Sequence, residues 1–179
     1  MLDAAGLTDC KVVVSNSLDE FLIDDLIMQD AKIDTFGVGE NMITAKSTPV
    51  LGGVYKVVAH EKDGQIIPKI KISGNVEKLT NPGFKKIIRF YDKENHQAIA
   101  DLLALRDEVI PEDEYVLFDP QAPWKQKRIK NYEMRELQVQ IFDHGKLIYN
   151  VPSTEEVKNY CMQQMNTLWE EVKRLRYPH

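Results

Sequence analysis

The first 49 residues carry the pattern that most limits what this chain can fold into: strand, helix, strand, and nothing more. Lys11 to Val14 is a β-branched run that ends abruptly at Ser15-Asn16-Ser17. A continuous apolar run of this kind suits a strand buried on both faces, as in a parallel sheet. Ser17 with Glu20 has the spacing of a capping box. Leu18, Phe21, Leu22, Leu26 and Ile27 recur at helical spacing with Asp24 and Asp25 between them, which predicts an amphipathic helix over 18–30. Ile33 to Phe36 predicts the second strand, broken by Gly37-Val38-Gly39. This is a βαβ crossover. Two parallel strands and one helix cannot bury their own faces, so the unit needs further layers. Those come from the rest of the chain or from a larger fold, and the second is the expectation here.

Past Pro49 the sequence becomes β-rich. Strands are expected over 54–59 and 66–72, with a turn at Lys62-Asp63-Gly64, and over 86–91 after the turn at Asn81-Pro82-Gly83. Residues 98–105 suit a strand or a helix, and Tyr115 to Phe118 a strand, with Pro120 and Pro123 interrupting the segment after it. Residues 138–142 and 147–149 read as a hairpin about Asp143-His144-Gly145-Lys146. Ser153 and Glu156 form another capping box, opening a helix expected to run to about Arg176 on a stripe of Met162, Met165, Leu168, Trp169 and Val172. The fold class is therefore α/β plus antiparallel β, α+β overall. The boundary falls near residue 49, with an α/β piece over 1–49 and a mostly antiparallel β region closed by a helix over 50–179.

Two loops attract attention. Ser15, Asn16 and Ser17 lie where a strand ends and a helix begins, a junction whose backbone N–H groups and helix dipole suit an anion. On this tripeptide alone the simpler reading is that Ser17 only caps a helix. Gly37, Val38 and Gly39, followed by Glu40, end the next strand, where glycine lets the backbone approach an anion or simply turn. Neighbouring parallel strands would place both loops at one end of the sheet, about 5 Å apart. In (β/α) barrels a phosphate site is frequently built from the loops after the last two strands and the start of a short helix. Residues 41–45 could form that helix, and Lys46 adds a positive charge. Together the loops point to a phosphate.

Other features point to no chemistry. His60, His96, His144 and His179 are scattered without zinc spacing or a nucleophilic partner. Asp24 and Asp25 read as a solvated helix face, and His144 as an exposed turn residue. Lys125, Lys127, Arg128 and Lys130 beside Trp124 form a basic aromatic patch, but acidic residues surround it. With 23 Lys+Arg against 28 Asp+Glu, a net charge of -5, no nucleic-acid partner is expected. No apolar run reaches the roughly 20 residues of a membrane span, and the first six residues lack the pattern of a secretory signal. Cys10 and Cys161 are expected to be free, buried thiols in a reducing compartment.

Several ordered strings resemble the C-terminal part of nicotinate phosphoribosyltransferases: residues 13–20, Phe36 to Gly39, residues 49–58, then Lys71-Ile72-Ser73, Glu77-Lys78, Thr80, Pro82-Gly83, Lys85 and Arg89. The resemblance runs through nearly the whole chain. It implies an ATP-coupled, Mg2+-dependent cytoplasmic enzyme of NAD salvage. That enzyme joins nicotinate to 5-phosphoribosyl 1-diphosphate, yielding nicotinate mononucleotide and diphosphate. The implied fold is an irregular (β/α) barrel of the type II phosphoribosyltransferase kind followed by a further C-terminal domain, in a homodimer. Ser15, Asn16, Ser17, Gly37, Val38, Gly39 and Glu40 then match the last two phosphate-binding loops. The family's chains are more than twice this length and carry upstream the phosphorylated histidine and most residues that grip nicotinate and diphosphate. The chain thus resembles a C-terminal portion, expected to be inactive alone and to bind neither ATP nor Mg2+ itself, with no catalytic residue assigned. Two other readings stay open: a non-catalytic phosphate-binding or oligomerisation domain, and a nicotinamide or quinolinate phosphoribosyltransferase.

Overall fold

A computed structural model describes residues 1–75 and 78–178; Glu77 and His179 lie outside the described residues. The chain forms two compact units, one of Met1–Val54 with Leu175–Tyr177 and one of Tyr55–Arg174 with Pro178.

In the first unit, β1 (Val13–Ser15), α1 (Glu20–Met28), β2 (Thr35–Gly37) and the short α2 (Glu40–Ile43) follow one another. The expected crossover is present: β1 and β2 pair in parallel, Val13 with Thr35, Val14 with Phe36 and Ser15 with Gly37. The cap of α1 differs from expectation. Ser17 lies at φ 50°, and Asp19 caps instead, its carboxylate accepting the Leu22 N–H at 2.9 Å. A carboxylate serves the positive helix end better than a hydroxyl. The expected burial of β1 on both faces is not met, since Val13 is 63% exposed. Leu22, Ile27, Met28 and Met42 are exposed as well, so this unit leaves much of its apolar surface open.

Asp34 closes the opposite end of the strand pair. Its carboxylate accepts the Val12 N–H at 2.8 Å and lies 3.4 Å from Lys11 Nζ. The Val12 bond is the main cause holding this carboxyl below its usual range, with Lys11 assisting. A depressed folded pKa contributes stability above the unfolded value near 3.8, and that contribution is lost as pH falls through the folded value. Asp34→Asn should therefore lower the thermal midpoint at pH 6 and lower it by less at pH 3. Equal deficits at both values would exclude this linkage.

The second unit is mostly β. The hairpin of β3 (Ala59–Lys62) and β4 (Gln65–Pro68) turns through Asp63 and Gly64, both at positive φ, as a two-residue hairpin requires. Residues 51–58, expected to include a strand, carry no regular structure. The strands β5 (Lys85–Asp92), β6 (Ala98–Leu105) and β9 (Tyr132–Glu136) form an antiparallel sheet in the order β6-β5-β9. Strands β7 (Glu114–Asp119) and β8 (Ala122–Lys130) form a second, separate antiparallel pair. Gly83, at φ 95°, makes the turn into β5, and a Cβ there would lie 2.8 Å from Leu105 Cδ2.

Residues 98–105, which suited either period, are a strand because even positions face inward: Ala104 is buried, while Leu103 and Leu105 are exposed. The inner faces of both sheets share one core of Ile88, Phe90, Ala104, Ile110, Ile129 and Tyr132. Tyr132 donates its hydroxyl to the Pro111 carbonyl at 2.6 Å. Across β5 and β6, Arg89 and Asp101 form a two-pronged ion pair at 2.7 and 2.8 Å. Strand β9 was not expected, because its alternation of Tyr132 and Met134 with charged neighbours reads as a charged surface. Pro123 does not interrupt β8; it sits at the irregularity between the Phe118–Gln126 and Asp119–Ala122 pairs, where no ladder N–H is needed.

The hairpin β10 (Phe142–Asp143) and β11 (Lys146–Leu147) forms about His144 and Gly145, with His144 exposed as expected. The capping box of α3 (Thr154–Asn166) is present, with Ser153 and Glu156 each accepting the other's backbone N–H. The helix does not continue unbroken. It stops at Thr167, and a separate turn, α4 (Glu170–Lys173), comes after it. The cause is tertiary: the Thr167 carbonyl accepts the Ala98 N–H at 2.8 Å, and the Trp169 indole donates to the Ala98 carbonyl at 2.8 Å. Cys10 and Cys161 are free, as expected, but both are exposed rather than buried.

Candidate functional site

Because Ser15 pairs with Gly37, the two strand-terminal loops leave the sheet side by side. A Cβ on Gly37 would sit 3.2 Å from Ser15 Cβ, so glycine is what lets the second loop lie this close to the first. Ser15, Asn16, Ser17, Gly37, Gly39 and Glu40 are exposed, Val38 is half-buried, and Leu18 anchors the first loop at 3% exposure.

The first loop turns through two consecutive non-glycine residues at positive φ, Asn16 at 97° and Ser17 at 50°. Each such residue costs free energy, of order 1–3 kcal/mol, and persists only where its surroundings hold it. Asn41 is what holds it: its side-chain amide donates to the Ser17 carbonyl at 2.9 Å and to the Leu18 carbonyl at 3.1 Å. Ser47 adds a second tie by donating to the Glu20 carboxylate. The segment after the second loop is thereby stapled to the start of the first helix.

Gly39 starts α2 without a side-chain cap, so the first backbone N–H groups of that turn stay available, whereas Asp19 already serves the start of α1. Lys46 sits one turn on, its N–H donating to the Asn41 carbonyl. Its exposed side chain makes no ion pair among the described residues. Seven of the eight expected phosphate residues are thus brought to one end of the strand pair, and Lys46 lies just beyond them. Residue patterns gave Asn41 no role except as the start of a helix. No local signal could have done so, since its bonds span 23 and 24 positions.

Among the described residues no group of three or more His, Cys, Asp or Glu side chains is placed to hold a metal ion. No helix among them is long and apolar enough to cross a membrane. In the basic patch, Arg128 and Lys130 both pair with Glu114, whose carboxyl is held below its usual range chiefly by Lys130.

Residues 84–179 match the model of the nicotinate phosphoribosyltransferase C-terminal domain. The chain belongs to that family. It is 42% identical over 179 residues to the nicotinate phosphoribosyltransferase of Bacillus subtilis, covering 99% of this chain and 36% of that protein. The nicotinate phosphoribosyltransferase of Caenorhabditis elegans is 33% identical over 94% of the chain, which covers 30% of that protein. The crystal structure of human nicotinic acid phosphoribosyltransferase superposes with a TM-score of 0.65 at 23% identity, covering 99% of this chain and 32% of that one. That last likeness concerns the fold. The chain spans about a third of the length of the nicotinate phosphoribosyltransferases it matches.

Proposed function

We propose that this chain is the C-terminal part of a nicotinate phosphoribosyltransferase and supplies the grip on the 5-phosphate of its ribosyl substrate and product. Residues 1–49 are the last strands of the irregular type II (β/α) barrel, and residues 50–179 the mostly β C-terminal domain. The observation that carries the reading is the parallel register of Ser15 with Gly37, which sets two loops side by side in a chain of this family. The exposed apolar residues of the first unit support it, since further barrel strands would cover them.

In this reading the loops of residues 15–17 and 37–40 donate to the phosphate oxygens through the backbone N–H and hydroxyl groups that the β1–β2 ladder leaves free. Lys46 supplies long-range attraction, and the Glu40 carboxylate turns away while its N–H binds. Fixed donors of this kind cost no reorganisation when the ribosyl phosphate arrives. Their task is positioning: they hold the sugar while its anomeric carbon exchanges diphosphate for the nicotinate nitrogen. The intact protein acts in the cytoplasm as a homodimer in NAD salvage, with ATP and Mg2+ as its cofactors. This chain alone is inactive.

Titration calorimetry of the chain with nicotinate mononucleotide, inorganic phosphate and nicotinate tests the site. Expected are binding of the mononucleotide, competition by phosphate and no heat from nicotinate. Binding of nicotinate with indifference to phosphate would exclude the assignment.

A further inference from the structure

Helix α1 follows directly on the Ser15-Asn16-Ser17 loop, yet none of its residues is buried. Leu22 is 42% exposed and Ile27 61%, so packing does little to fix the helix within this chain. Polar ties hold it instead. Asn41 bonds the Ser17 and Leu18 carbonyls, and Ser47 bonds the Glu20 carboxylate. These ties act at or before the first helical residue, and a rod tied at one end alone is free to pivot.

Residues 175–177 supply a tie further along. They belong to the first unit, although the second unit separates them from it in sequence. Arg176 Nη2 lies 3.0 Å from each carboxylate oxygen of Asp25, and the guanidinium carbon lies 5.7 Å from the centre of the Phe21 ring. Phe21 and Asp25 are four positions apart, so they are neighbours on one face of α1. The planar arginine fork suits both at once, with a carboxylate at its edge and a ring under its face. At roughly 1.5 Å per residue, Asp25 stands only about 8 Å along the axis from Glu20. Over so short a length a restraint at Asp25 is felt at the first turn and at the loop before it.

We propose that Arg176 is a positioning residue of the phosphate site, an inference that rests on the phosphate reading given above. It touches no phosphate. By bridging Phe21 and Asp25 it stops α1 from pivoting, and so keeps the strained Asn16-Ser17 turn beside the Gly37-Val38-Gly39 loop before the ligand arrives. Binding then spends less of its free energy on ordering the loop.

Titration calorimetry with nicotinate mononucleotide, together with amide hydrogen exchange of the ligand-free 179-residue chain, tests this. Each exposed contact is modest by itself, so Arg176→Glu should weaken mononucleotide binding about fivefold. The same variant should speed exchange at residues 15–23 and leave β5, β6 and β9 unchanged. Arg176→Lys keeps the charge without the fork and should fall between variant and parent. Adding Asp25→Arg to Arg176→Glu restores the pair with its charges swapped and should return both readouts to within about twofold of the parent. Binding by Arg176→Glu equal to the parent's, exchange that rises equally in β5, or a swapped pair that recovers nothing would each overturn the proposal. Should the parent bind neither the mononucleotide nor inorganic phosphate, the phosphate reading fails instead. Exchange at residues 15–23 then decides by itself whether Arg176 holds the loop, and rates equal to the parent's would overturn that too.

Discussion

Replacing Phe90 with alanine is expected to cost the second unit about 3–5 kcal/mol. Phe90 is 0% exposed on β5, the central strand of its sheet, where it faces Ala100 on β6 and Met134 on β9. Its ring meets Tyr132 edge-on at 4.8 Å and stacks on Tyr115 at 5.9 Å. Aromatic pairs of this geometry add about 0.5–1.5 kcal/mol each beyond burial. The neighbours belong to two different sheets, so neither sheet can move in to fill the cavity without breaking its own ladder. Urea unfolding should show a much lower midpoint with an unchanged slope. Tyr132→Phe separates packing from polarity: it keeps the ring, orphans the Pro111 carbonyl and should cost about 1–3 kcal/mol. A Phe90→Ala loss smaller than the Tyr132→Phe loss would mean that the shared core is not what holds the two sheets together.

Saturating nicotinate mononucleotide should raise the stability of the chain by about 2.7 kcal/mol at a hundred times its dissociation constant. Phosphate should give a smaller rise, and nicotinate none. The gain depends on the Asn16-Ser17 turn being held before the ligand arrives, because a loop that orders on binding spends part of the interaction free energy on ordering. Asn41→Ala removes both side-chain bonds that hold the turn. The neutral bonds lost are worth about 1 kcal/mol each, so the variant should bind the mononucleotide about tenfold or more weakly while retaining its far-ultraviolet circular dichroism. Thermal scans with and without ligand read both effects. Stabilisation of Asn41→Ala equal to that of the parent would show that the turn needs no staple.

What could be read from the residues depended on how local the deciding interaction was. The parallel pairing of β1 with β2, the turns at Asp63-Gly64 and His144-Gly145, and the Ser153–Glu156 capping box arise from neighbours a few positions apart or from a single short crossover, and the structure has them. The strand character of 98–105 was ambiguous because its even and odd positions are both largely apolar. Only burial of the even side against Phe90 and Ile129 separates the two periods. The cap of α1 moved from Ser17 to Asp19 because Asn41, more than twenty residues away, fixes Ser17 at positive φ. The last helix broke at Thr167 because the Thr167 carbonyl and the Trp169 indole serve Ala98, 69 and 71 positions earlier, and helical periodicity carries no trace of that demand.

The candidate site divides along the same line. The residue types and their place at strand ends were legible, as was the family, because ordered strings such as Phe36-Gly37-Val38-Gly39 and Gly52-Gly53-Val54-Tyr55-Lys56 survive in the sequence itself. The sequence thus determined which loops could bind an anion and which protein family the chain resembles, since both rest on short-range patterns. How the loops are held was decided by the tertiary structure alone. It depends on Asn41 and on the register of Ser15 with Gly37. Each is set by hydrogen bonds between residues far apart in the chain, which form only once the apolar faces have packed.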